Sequence, residues 1–187
     1  YFKNYLGLQA AKECFLESPF DYKEQALLYL PGLEVAPNDS DYEKRLVEAA
    51  LPVLEASKGR AFILFTSYRS LNATAAIMRD LNQYPLLVQG EAPRNQILKS
   101  FHSTPNAVLL GTSSFWEGVD VRGQQLSLVI IDKLPFMPPT DPVIEARINR
   151  LAEKGENAFE QIQIPHAVTV LKQGAGRLIR DCNDRGV

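Results

Sequence analysis

The chain has no GxxxxGK[ST] phosphate loop and no Asp-Glu pair closing an apolar run, so a nucleotide bound here would find only part of its site in it. Its two histidines, His102 and His166, stand alone, outside any HExxH or similar zinc pattern. Its two cysteines, Cys14 and Cys182, have neither metal nor redox spacing and read as reduced thiols of a cytosolic protein. No apolar run approaches a membrane span, and no signal-peptide pattern opens the chain. A net charge of −2 does not advertise nucleic acid, so any contact with it must be local. The lack of a nucleophile–base pair or a metal set argues against a free-standing small-molecule enzyme.

What is present suits one sizeable core. The 187 residues are 45% hydrophobic and 22% charged, so a single domain over 1–187 is expected, with residues 1–25 as a lead-in that is hard to place. The start at Tyr1 and the stop at Val187 suggest a piece cut from something longer. Short apolar runs, ALLYL (26–30), AFILF (61–65), LLV (86–88), AVLL (107–110) and LSLVII (126–131), read as strands buried on both faces. Between them, Ser40-Asp41-Tyr42-Glu43 reads as a capping box opening a helix that Pro52 kinks or shortens. Further helices are expected over 71–81, with Leu71, Ala75 and Met78 inward, and from Pro93, with Ile97 and Phe101. Residues 143–151 and a last helix from Pro165 follow a proline-rich stretch at 133–142. This alternation predicts an α/β fold, doubly wound around a mainly parallel sheet flanked by helices. Ligands of such folds gather at the carboxyl ends of the strands. The residues there are Thr66-Ser67-Tyr68, Gly111-Thr112-Ser113 and Asp132-Lys133, all small, polar or charged.

Three stretches could carry chemistry. GAGRLI (174–179) lacks the third glycine of a dinucleotide fingerprint, where Ile179 stands, and no strand precedes it. In KQGAGRLIRD (172–181), an ideal helix would bring Gln173, Arg177 and Arg180 within about 60° of one another. Guanidinium forks on one face fit a triphosphate approached from another domain; alternatively they are a solvated basic face pairing with Asp181 and Asp184. In TSSFWEGVDVRG (112–123), Gly118 permits close backbone approach, and Asp120 or Glu117 could orient an arginine or a ribose hydroxyl. Phe115 and Trp116 either stack on bases or pack in the core. In LFTSYRS (64–70), Thr66, Ser67 and Tyr68 could donate to a DNA phosphate, or Ser67 or Ser70 could cap the next helix.

Together these segments resemble the second motor domain of superfamily-two helicases of the DinG/XPD family, most of all its bacterial YoaA/DinG-like branch. LFTSY resembles motif IV, SFWEGVDVRG motif V, and QGAGRLIR the Q-x-x-G-R-x-x-R of motif VI. SPFDYKEQALLYLP (18–31) and IIDKLPFMPPTDP (130–142) resemble flanking segments of the DinG branch. The resemblance implies a RecA-like domain without a phosphate loop of its own, working against a first RecA-like motor domain with ATP and Mg²⁺ between them. It implies Arg180 as arginine finger with Arg177 beside it, and Gln173, Gly176, Glu117, Gly118 and Asp120 around the nucleotide. Thr66, Ser67, Tyr68, Thr112, Ser113 and Trp116 would hold single-stranded DNA. The family is 5′-to-3′ in polarity and carries an iron–sulfur cluster, whose four cysteines belong to the first motor domain. No metal ligand is expected in this chain, nor any membrane association, and the location is cytoplasmic. A replication or repair protein is a possible further partner. The alternative function is a non-enzymatic RecA-like module that docks such a partner.

Overall fold

The computed structural model describes residues 3, 6–8, 10–116, 125–138 and 140–187, and of Ser113 and Trp116 the backbone alone. Four parallel strands, β1 (Ala61–Leu64), β2 (Leu86–Val88), β3 (Val108–Gly111) and β4 (Leu128–Ile131), form a sheet in the order β2-β3-β1-β4. Ala61 is level with Val108 on one side and with Leu128 on the other. Every residue of β1 and β3 is buried, the reason those runs are apolar without alternation.

Side chains leave a strand alternately up and down, so each strand feeds two cores. Ala61 and Ile63 join Val108 and Leu110 under α2 (Tyr42–Ser57) and α3 (Tyr68–Leu81), which supply Leu46, Leu54, Leu71 and Met78. Phe62 and Leu64 join Leu109 on the other face, against Ile97 and Phe101 of α4 (Arg94–Ser103) and Phe115 of the short α5 (Ser113–Trp116). Val170 and Leu171 of α7 (Ile164–Ala175) close that side. The fold is the doubly wound α/β sheet expected from the alternation.

Phe115 is wholly buried, which decides its two readings in favour of the core. Gly111 is what admits it, because a Cβ there would lie 2.8 Å from Phe115 Cβ. The short α1 (Tyr22–Gln25) precedes the sheet, and α6 (Pro142–Glu153) with a π-helical turn (Phe159–Gln163) precedes α7.

Three local expectations differ from the structure. The run 26–30 is not a strand: Ala26 makes one bridge with Gly186, while Leu28 and Leu30 are 81% and 80% exposed. An apolar run reports a preference for burial but cannot supply a partner strand, and Pro31 ends this one. The capping box does not form, because Asp41 is the N-cap without a side-chain bond and Glu43 instead accepts from the Ser70 hydroxyl at 3.0 Å. Pro52 does not shorten α2, which continues to Ser57 with the proline on its exposed side.

The last residues extend the sheet beyond β4. Val129 N–H donates to the Val187 carbonyl at 2.9 Å and Val187 N–H to the Ser127 carbonyl at 3.0 Å. Gly186 in turn exchanges bonds with Gln25 and Leu27. Thus Gln25, the last residue of the lead-in, is anchored to the edge of the sheet.

Candidate functional site

The chain leaves β1 toward one edge of the sheet and leaves β3 toward the other, so the carboxyl ends of these neighbouring strands form the switch point where α/β folds bind ligands. Thr66, Ser67 and Tyr68 follow β1 there and are all exposed. Ser67 is the N-cap of α3, its hydroxyl accepting from Ser70 N–H at 3.2 Å. Capping uses the oxygen and leaves the hydroxyl proton available. Thr112, after β3, is buried; its N–H and hydroxyl both donate to Gln89 Oε1, at 2.6 and 3.1 Å. Gln89 Nε2 donates in turn to the Tyr68 hydroxyl at 2.5 Å. One glutamine therefore ties the β1 and β3 exits together.

Asp132, after β4, ties the remaining strand in. Its Oδ1 accepts from Thr66 N–H at 3.1 Å, while Oδ2 is buried without a hydrogen-bond partner among the described residues. Burial pushes this carboxyl up to about 6, Glu43 adding to the rise and Thr66 N–H and Lys133 opposing it. The Tyr42 hydroxyl donates to the Asp132 carbonyl at 2.6 Å and is itself pushed up to about 12, first by burial and then by Asp132 and Glu43. Lys133 Nζ lies 4.4 Å from the centre of the Tyr42 ring and donates to Ser70 Oγ at 3.2 Å. The exposed Thr66-Ser67 turn therefore rests on a buried polar base.

The arginine segment departs from the helical geometry expected of it. Helix α7 ends at Ala175, and Arg177 and Leu178 make tightened bonds to the carbonyls of Gly174 and Ala175. The single-face relation of Gln173, Arg177 and Arg180 on an α-helix therefore does not hold. The glycines explain why: both disfavour helix, and a Cβ on Gly176 would stand 2.8 Å from the Lys172 carbonyl oxygen. Gly176 is the C-cap of this helix.

Beyond it, buried Leu178 and Ile179 pin the chain between Arg177 and Arg180. Asp184 Oδ2 then accepts from the N–H groups of Arg180 and Asp181, both at 2.8 Å. Gln25 Nε2 lies 3.0, 3.2 and 3.1 Å from the carbonyls of Asp181, Cys182 and Asp184. The Arg180 N–H is thus held by Asp184, and the backbone that follows it by Asp184 and Gln25, both buried. Asp184 binds it through main-chain amides, a role the basic-face reading did not contain.

Helix α7, which carries Gln173, touches α5 just after β3. Gln173 is half-buried there, its amide oxygen without a hydrogen-bond partner among the described residues. That oxygen is itself buried, so a ligand group that reached it would satisfy a buried polar atom. Glu117, Gly118 and Asp120 lie outside the described residues, as do the side chains of Ser113 and Trp116. No group of three His, Cys, Asp or Glu among the described residues could hold a metal ion. Gln89 could have been found by the strand-end rule that picked out Thr66 and Thr112, since it directly follows LLV. Gln25 and Asp184 carry no such local signal.

A helicase C-terminal domain model matches residues 50–187. The chain is 48% identical over its whole length to an ATP-dependent DNA helicase YoaA of Haemophilus influenzae and 46% identical to that of Escherichia coli. It spans 29% of the length of each. A solved XPD helicase structure superposes on 83% of this chain and 29% of its own with a TM-score of 0.66, at 24% identity, a likeness of fold.

Proposed function

The chain belongs to the helicase C-terminal domain family, of DinG/XPD type, and on that premise we propose that it is the second motor domain of an ATP-dependent DNA helicase. It supplies the arginine side of an ATP site whose phosphate loop and Mg²⁺ ligands belong to a first motor domain. The observation that carries this reading is the anchoring of the backbone at and just after Arg180: Asp184 takes the N–H groups of Arg180 and Asp181, and Gln25 the Asp181 carbonyl. An arginine acting on transferring phosphoryl must be held in place before charge develops, since positioning and electrostatics are nearly all that this chemistry asks of a protein.

Arg180 is the finger in this reading and Arg177 its companion. Gln173 meets the nucleotide through its amide, whose oxygen is buried and without a hydrogen-bond partner among the described residues, where Gly176 lets the backbone turn tightly. Glu117, Gly118 and Asp120 lie around the nucleotide, and Gly118 and Asp120 couple the cleft to DNA. Thr66, Ser67 and Tyr68 form the exposed part of the single-stranded DNA track with Ser113 and Trp116. Thr112, buried with its hydroxyl given to Gln89, supports the track from below. Closing the cleft on ATP and opening it after hydrolysis moves this track relative to the one on the first motor domain. Travel 5′-to-3′, an iron–sulfur cluster in the first motor domain, a cytoplasmic location and a replication or repair partner enter on the family resemblance alone.

The test is Arg180→Ala in the full-length protein. Turnover should fall about 10³–10⁵-fold, about 4–7 kcal/mol of transition-state stabilisation, with nucleotide binding largely retained. Near-normal turnover overturns Arg180 as finger; if arginine variants impair only the capture of a protein partner, the docking module replaces the motor. The 187-residue chain alone should hydrolyse ATP negligibly.

A further inference from the structure

Gln89 sits where two parts of the proposed DNA track meet, and its hydrogen bonds have a forced direction. The Thr112 N–H can only donate, so the atom 2.6 Å from it must be the Gln89 oxygen. The amide nitrogen then faces Tyr68 and donates to the phenol oxygen at 2.5 Å. A hydroxyl that accepts from an N–H directs its own proton elsewhere. Tyr68 is 54% exposed on the carboxyl edge of the sheet, beside the Thr66-Ser67 turn. The Gln89 main chain is itself fixed, its N–H donating to the Leu110 carbonyl at 3.0 Å.

We infer that Gln89 is a positioning residue that makes the Tyr68 hydroxyl a one-way donor toward a phosphodiester oxygen of single-stranded DNA. The inference rests on the DNA-track reading above. Bonds chained from Thr112 through Gln89 to Tyr68 polarise one another, so the terminal proton is a better donor than that of an isolated phenol. A phosphodiester oxygen is an anionic acceptor that offers no proton, the partner such a hydroxyl suits. Because every nucleotide carries the same phosphodiester, the contact is indifferent to sequence.

The experiment measures binding of a fluorescent oligothymidylate to the full-length protein by anisotropy, for Tyr68→Phe, Gln89→Glu and the double variant. Tyr68→Phe removes the donor and should weaken binding about tenfold. Gln89→Glu keeps the shape and the bond from Thr112 N–H, but its carboxylate accepts the phenol proton and turns it inward. It should weaken binding by at least as much, and most of that loss should vanish when Tyr68→Phe is already present. Equal losses with and without Tyr68→Phe would show that the added charge acts directly on DNA, and would overturn the inference. A Tyr68→Phe variant that binds normally while Thr66→Ala and Ser67→Ala weaken binding overturns the inference and leaves the track standing. If none of the three substitutions changes affinity, the track reading itself falls.

Discussion

Replacing Asp132 by asparagine separates the charge of this buried carboxylate from its shape. The asparagine oxygen can still accept from Thr66 N–H, so the turn after β1 keeps its anchor. The new NH₂ takes the place of Oδ2, which already has no hydrogen-bond partner among the described residues, an offset that does not vary with pH. What disappears is the titration. Asp132 is 8% exposed, and its carboxyl is raised from an ordinary value of about 4 to about 6. The gap corresponds to about 3 kcal/mol.

Because the folded value lies above the unfolded one, the folded state binds the proton more tightly. The stability that Asp132 contributes is therefore complete below about pH 4 and lost as pH rises through about 6. Urea unfolding of the wild-type and Asp132→Asn chains between pH 4 and 8 gives a difference in which the other carboxylates largely cancel. Wild type should lose about 3 kcal/mol relative to the variant across that range. Glu43 and Lys133 face the site and modulate the amplitude, whereas Tyr42, at about 12, stays protonated throughout. Parallel stability curves, or an Asp132 carboxyl titrating near 4 by carbon NMR, would refute the assignment of burial as the dominant cause.

Asp184→Ala removes the acceptor of two part-buried 2.8 Å bonds and should destabilise the chain by about 1–3 kcal/mol. In the full-length protein it should also slow ATP turnover by displacing Arg180, with Asp184→Asn milder in both respects because it keeps an acceptor oxygen. Gly186→Ala places a Cβ 2.4 Å from Leu178 Cδ1 and 2.5 Å from the Ser127 carbonyl oxygen, and that backbone atom cannot move aside cheaply. A loss of about 1–3 kcal/mol is expected, with faster hydrogen exchange at the Val129 and Val187 amides than at the Phe62 amide in the sheet centre.

The elements legible in the sequence are those whose burial is decided locally. AFILF, LLV, AVLL and LSLVII became β1 to β4 because strands covered on both faces must be apolar throughout. Leu71, Ala75 and Met78 on α3, and Ile97 and Phe101 on α4, face inward because helical spacing places them on one stripe. The run 26–30 has the same composition and failed because a strand also needs a neighbour. Along β4 the position beside the strand is taken by Val187, and residue 26 reaches only Gly186. The arginine motif was legible as residue types, but its helical geometry was not, since Gly174 and Gly176 end α7 within it.

By itself, then, the sequence determined the α/β class, the strand positions, the polar residues at their carboxyl ends and the arginine segment's chemical kind. Those follow from how each residue partitions between water and apolar surroundings, and from glycine and proline acting on their own backbone. What the polar groups bind follows instead from which segments the fold brings together. Gln25 holds carbonyls more than 150 positions away, Asp132 holds Thr66, and Gln89 joins Tyr68 to Thr112. A hydrogen bond depends on which atoms the fold brings within about 3 Å, and no local pattern in the chain records that.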